Sequence, residues 1–219
     1  MIKGAIFDLD GTLLDSMDMW ENFAENYLRS QGVVPKEDLG ESIKNLSLYD
    51  AVDCCKRKYN LPKTVKEIID EFDKIFYNYY RNEVALKPGA KAFLKKLKEN
   101  NVNMCIASAT EEHLVKAALK RCGIEEYFSE VFTCTACGNG KENPAIYRMA
   151  LKYLNTKKSD TIVFEDVYFA AKTAKDDGFL VAAVFDKQEK DSDKIKEIAD
   201  CYIPDFYTLN DFWRVAESL

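Results

Sequence analysis

The chain has 219 residues, 47% of them hydrophobic and 31% charged, with a formal net charge of −6. That length can bury a sizeable core, while the acidic balance argues against broad binding to nucleic acid or an anionic membrane surface, which needs a basic field. No apolar run reaches the roughly 18–20 residues that span a bilayer, and GAIF ahead of Asp8 is too short for a signal-peptide core. Seven irregularly spaced cysteines fit reduced thiols, so the chain reads as cytoplasmic.

Residues 3–7 (KGAIF) read as a buried strand that ends at Asp8, where Gly11-Thr12 breaks the run. Met19, Trp20, Phe23, Tyr27 and Leu28 then recur at three- and four-residue intervals, predicting a helix over 16–30 with Gly32 as its stop. Further helical stretches follow at 36–46, 48–59 and 64–81, with no strand between 15 and 81. After Pro88-Gly89 the rhythm changes. Helices at 89–99, 111–122, 143–154, 167–176, 191–199 and 207–218 alternate with strands at 102–107, 130–134, 161–164, 179–184 and 201–203. Such alternation predicts an α/β fold, a doubly wound parallel sheet of Rossmann-like type. The core would comprise residues 1–14 and 82–219, and residues 15–81 would form an inserted all-helical domain.

Ligands of such sheets bind beyond the carboxyl ends of the strands. The first strand ends in Asp8-Leu9-Asp10-Gly11-Thr12 and the second in Ser108-Ala109-Thr110; Gly140-Lys141 follows the third, and the fourth ends in Glu165-Asp166. Clustered carboxylates repel one another unless a cation sits among them, and an all-oxygen set suits Mg²⁺. A carboxylate with a free oxygen can attack a phosphoryl group, while an ammonium, a hydroxyl and backbone N–H groups hold its oxygens. Asp10, two residues beyond Asp8, can move the proton. Each residue also has a plainer reading. Ser108 or Thr110 can cap the helix before Glu111, Lys141 can lie on the surface, and Asp15 can cap a helix or mark a hinge. An EF-hand reading of DLDG fails, because the twelfth position from Asp8 is Met19 rather than Glu. Cys134-Thr135-Ala136-Cys137 lacks the second Cys/His pair of a zinc site, since His113 is the only histidine. The CxxC is expected in a strand-to-loop segment.

The order FDLDGT, SAT, GKENP and FED resembles the haloacid dehalogenase superfamily over the whole chain, with 15–81 where its small α-helical cap is inserted. The resemblance implies Asp8 as nucleophile and Asp10 as acid and base. Ser108, with Ala109 in the same turn, and Lys141 would bind phosphate. It implies Mg²⁺ held by the side chains of Asp8 and Asp166 and the carbonyl of Asp10, with Glu165 acting through water. Dehalogenase members lack an acid at the position of Asp10, so its presence points to phosphoryl transfer.

Within the superfamily the chain looks most like the β-phosphoglucomutase-like branch, with three departures. Trp20 stands where the mutase has a histidine. Asn45-Leu46-Ser47-Leu48 lacks the mutase's phosphate-gripping arginine, and Arg57, nine residues on, reads as a surface residue. Val167-Tyr168-Phe169-Ala170 replaces a small Ser-x-x-Gly. The first two losses favour hydrolysis over mutase chemistry. Trp20 is either packing between helices or an aromatic wall facing the leaving group.

The expectation is therefore a Mg²⁺-dependent phosphatase for a small phosphomonoester such as a sugar or polyol phosphate, a monomer with no nucleic-acid or membrane partner. Its rivals are a phosphosugar mutase, a phosphonate hydrolase using a cap lysine such as Lys44 or Lys56, and a non-catalytic binding protein.

Overall fold

The computed structural model describes residues 2–43, 46 and 48–218. It divides into two compact units, Met1–Met17 with Tyr80–Leu219, and Asp18–Tyr79.

The first unit carries a six-stranded, wholly parallel sheet in the order β3-β2-β1-β4-β5-β6. Its strands are β1 (Gly4–Phe7), β2 (Asn103–Ser108), β3 (Val131–Thr133), β4 (Thr161–Glu165), β5 (Leu180–Val184) and β6 (Cys201–Ile203). Near-continuous apolar strands are expected where helices cover both faces, and β1 and β4 are buried at every position. Phe7 lies at the centre of the sheet. Its ring stacks on Phe164 at 4.1 Å and meets Phe93 and Phe128 edge-on. On the other face Ile6, Val163 and Val181 pack with Ile146, Tyr147 and Ala171.

The helices in chain order are α1 (Met17–Ser30), α2 (Leu39–Ile43), α3 (Leu48–Tyr59), α4 (Val65–Asn82), α5 (Ala90–Glu99), α6 (Glu112–Cys122), α7 (Cys134–Cys137), α8 (Ala145–Leu154), α9 (Tyr168–Asp176), α10 (Ser192–Ile198) and α11 (Asn210–Glu217). The division between units falls just inside α1 and near the end of α4. Asp15, Ser16, Tyr80 and Arg81 therefore belong with the α/β unit rather than with the helical stretch 15–81. Gly89 opens α5 at φ +86°, where a Cβ would come within 2.9 Å of the Phe206 backbone. Only glycine suits both demands.

One local expectation fails, and one of the plainer readings is excluded. The CxxC does not lie in an irregular loop: Thr133 ends β3, its hydroxyl accepts the Ala136 N–H at 3.2 Å, and the chain turns directly into α7. Its thiols are free and half-buried. Neither Ser108 nor Thr110 caps α6, whose N-cap is Glu111 without a side-chain bond.

The second unit is helical, with a core of Tyr27, Leu28, Leu39, Val52, Leu61, Val65 and Ile68. Trp20 stacks on Phe76 at 4.3 Å while remaining 39% exposed. With Phe23, Tyr27, Phe72 and Phe76 it lines a cavity of about 170 Å³ inside this unit. Packing between helices is therefore part of what Trp20 does. Arg57 is exposed and pairs with Asp53 one turn away on α3, so it is a surface residue. Lys44, Asn45 and Ser47 lie outside the described residues. Among those described, no helix is long and apolar enough to cross a membrane.

Candidate active site

Strand register builds the site. Phe7 of β1 pairs with Ile106 of β2 and with Phe164 of β4, so Asp8, Ser108 and Glu165 reach the same sheet edge. The Asp8 N–H continues the ladder by donating to the Phe164 carbonyl at 3.0 Å. Gly11 then turns the chain at φ +80°; a Cβ there would strike the Asp166 carboxylate. Lys141 arrives in the loop after α7.

Asp8, Ser108, Lys141, Glu165 and Asp166 are all buried. The Lys141 ammonium donates to Asp8 Oδ1 and, at 2.7 Å, to Glu165 Oε1. Thr12 Oγ1 donates to Asp166 Oδ1 at 2.9 Å. One oxygen from each of Asp8, Glu165 and Asp166 can lie within 4.8 Å of the others. Ser108 sits beside this group, its hydroxyl accepting the Thr110 N–H at 3.0 Å, and Ala109 is exposed in the same turn.

The carboxylate of Asp10 is held apart from the other three. Its Oδ1 accepts from the hydroxyls of Ser16 and Tyr80, both at 2.6 Å, and its Oδ2 from Thr110 at 2.7 Å. Burial raises its pKa, and the three hydroxyls oppose that rise without cancelling it. Burial likewise pushes Glu165 up to about 7, the Lys141 ammonium pulling down and Asp8 pushing up. Asp166 is raised by burial and by the charges of Asp8 and Glu165. Burial alone would lower Lys141, but the Asp8 and Glu165 carboxylates override it and hold the ammonium above the ordinary lysine range.

Three buried carboxylates against one ammonium leave an excess of negative charge. Glu165 Oε2 is, among the described residues, the one buried side-chain N or O atom without a hydrogen-bond partner. A hard divalent cation answers both facts, since it neutralises the charge and takes an otherwise unpaired oxygen. The donor set therefore fits Mg²⁺. The structure groups Glu165 with Asp8 and Asp166, one oxygen from each lying within 4.8 Å of the others.

Sequence reasoning missed Ser16, Tyr80 and Thr110 as partners of Asp10, and Tyr147 as a partner of Glu165. Tyr80 lies 70 positions from Asp10, and no local spacing connects them. Thr110 was visible, but only as a helix cap. At the Val167–Ala170 departure α9 starts at Tyr168, whose N–H donates to Glu189 Oε2 at 2.9 Å, with no side-chain cap from Val167.

A parallel sheet with an acidic cluster at its strand ends and a helical insertion after the first strand defines a class of α/β proteins. A model of haloacid dehalogenase-like hydrolases matches residues 5–184. The chain belongs to that family. It is 25% identical over 181 residues to a Thermotoga maritima protein named phosphorylated carbohydrates phosphatase, covering 81% of this chain and 82% of the relative. It is 29% identical over 210 residues to a Drosophila melanogaster protein named a probable pseudouridine-5′-phosphatase, covering 90% and 89%. The fold matches a β-phosphoglucomutase from Clostridium difficile with a TM-score of 0.70 at 19% identity, covering 100% of this chain and 98% of that one.

Proposed function

We propose that this protein is a Mg²⁺-dependent phosphohydrolase that acts on a small phosphomonoester, such as a sugar or polyol phosphate, through an aspartyl phosphate on Asp8. The observation that carries the reading is the convergence of Asp8, Ser108, Lys141, Glu165 and Asp166 at one sheet edge, with Asp10 separately held two residues from Asp8. The two relatives are named for the same reaction class on phosphorylated carbohydrate and on pseudouridine 5′-phosphate.

An Asp8 carboxylate oxygen attacks phosphorus and the bond to the leaving oxygen breaks. Asp10, whose pKa is raised by burial, gives that oxygen its proton. Lys141, the Ser108 hydroxyl and the Ala109 N–H hold the non-bridging oxygens. Asp10, now ionised, takes a proton from water, which attacks phosphorus and frees Asp8. Asp8, Asp166 and the Asp10 carbonyl would hold Mg²⁺, with Glu165 acting through water, and the bound ion would supply positive charge for phosphoryl transfer. We assign leaving-group selection to the helical unit, with Trp20 as the candidate residue.

Asp10→Asn is expected to lower kcat by about 10²–10⁴-fold while leaving Mg²⁺ affinity unchanged, because the Asp10 carboxylate is committed to Ser16, Tyr80 and Thr110 and its carbonyl survives. Steady-state kinetics beside a metal titration check both halves, and an unchanged kcat removes Asp10 from proton transfer. The reading as a whole is tested by phosphate release over sugar, polyol, nucleotide and amino-acid phosphates with Mg²⁺. Release of inorganic phosphate supports it. Isomer formation from a hexose 1-phosphate with a bisphosphate activator, or no turnover on any ester, overturns it.

A further inference from the structure

We propose that Tyr147 is a positioning residue of the metal site, acting through Glu165; the proposal rests on the reading of the acidic cluster as a Mg²⁺ site.

Tyr147 is fully buried on α8, and its ring packs edge-on against Phe179 at 6.2 Å between centroids. Its hydroxyl donates to Glu165 Oε1 at 2.7 Å. The same oxygen accepts from Lys141 at 2.7 Å. Two donors therefore converge on one oxygen of Glu165, from residues six apart in one segment of chain. Among the described residues, no hydrogen-bond partner reaches the other oxygen, Oε2.

That asymmetry carries the argument. A carboxylate held by one flexible ammonium can turn about its last side-chain bond and exchange its two oxygens. A carboxylate held as well by a phenol on a packed helix cannot turn without breaking a buried hydrogen bond. The phenol thus keeps Oε1 occupied and leaves Oε2 as the oxygen of Glu165 not tied by a hydrogen bond. Thr12 does the same for Asp166, tying Oδ1. Outer partners of this kind fix ligand orientation, and losing one typically costs about 10- to 100-fold in metal affinity. Phenylalanine would fill the same space on α8, so packing alone does not require the hydroxyl.

The test is Mn²⁺ affinity, read by electron paramagnetic resonance without substrate, for the wild type, Tyr147→Phe, Glu165→Gln and the double variant. Tyr147→Phe is expected to weaken Mn²⁺ binding by about 10-fold and to cost nothing further in the Glu165→Gln background, because its route runs through Glu165. Replacing Tyr147 with para-aminophenylalanine, which keeps a donor at the same place, is expected to restore affinity even if the phenylalanine variant folds poorly. Affinity within twofold of wild type in Tyr147→Phe, losses that multiply independently in the double variant, or a wild type that binds no Mn²⁺ would each overturn the proposal. Because no substrate is present, an intact affinity pattern in a protein that releases no phosphate defeats the phosphatase reading and leaves this one standing.

Discussion

Asp8→Asn abolishes phosphate release, by on the order of 10⁴-fold or more, without unfolding the protein. The amide cannot attack phosphorus, and no neighbour replaces it. Lys141 is a cation, Glu165 has one oxygen tied by two donors, and Asp166 has one tied by Thr12. The substitution removes one of three crowded negative charges, and the charge of Asp8 is among the causes that raise both Glu165 and Asp166. The metal-free variant relieves that crowding but also breaks the buried Asp8–Lys141 pair, so the melt is read for the expected loss of most of its stabilisation by Mg²⁺. For the wild type, Mg²⁺ at 100 times its Kd contributes about 2.7 kcal/mol, a rise of roughly 5–10 °C in Tm. Activity that survives Asp8→Asn would remove Asp8 as nucleophile.

Lys141→Met has the largest expected effect on stability. The ammonium is buried between Asp8 and Glu165, and removing it leaves two adjacent carboxylates without their cation. Breaking a buried pair from one side costs about 3–5 kcal/mol. The loss should depend on pH with a definite sign. The Glu165 carboxyl is raised from its ordinary 4.5 to about 7 in the folded protein. Between those values the native state binds the extra proton, so metal-free stability falls as pH rises through this window. Removing Lys141 removes a cause that lowers the Glu165 pKa, so the variant should be weakest at neutral pH and recover toward pH 5. Mg²⁺ should restore part of the loss above pH 7, where the carboxylates are ionised. Thermal melts at several pH values, with and without Mg²⁺, measure this. A variant equally stable at all of them would show that the ammonium is not the counter-charge the geometry makes it.

The sheet was legible because its strands are short apolar runs punctuated by Gly, Pro and charged residues, and β2, β4 and β6 fall within a residue or two of their expected places. The acidic pocket was legible for a topological reason: in a parallel sheet, residues that follow strands meet at one edge. What the sequence did not disclose was which oxygen each hydroxyl would reach. No periodicity in the sequence singles out Tyr80, and its bond to Asp10 follows from where α4 ends relative to β1. Nor does anything in the sequence single out Tyr147, whose hydroxyl is committed to Glu165. α7 was hidden because Thr133 ends a strand and caps a helical turn at once, so no loop residues mark the change. Trp20 is not the simple substitution for a mutase histidine that its position suggests, since its ring stacks on Phe76 and forms part of an aromatic wall inside the helical unit.

The central claim is that phosphate passes through Asp8. It is tested most directly by mixing the Mg²⁺-loaded protein with a phosphomonoester it hydrolyses, quenching in acid during turnover and mapping the modified peptide by mass spectrometry. A phosphoryl group on Asp8, absent in Asp8→Asn, is the expected result. Turnover with an unmodified Asp8, or with the phosphoryl group on Ser108, would contradict it.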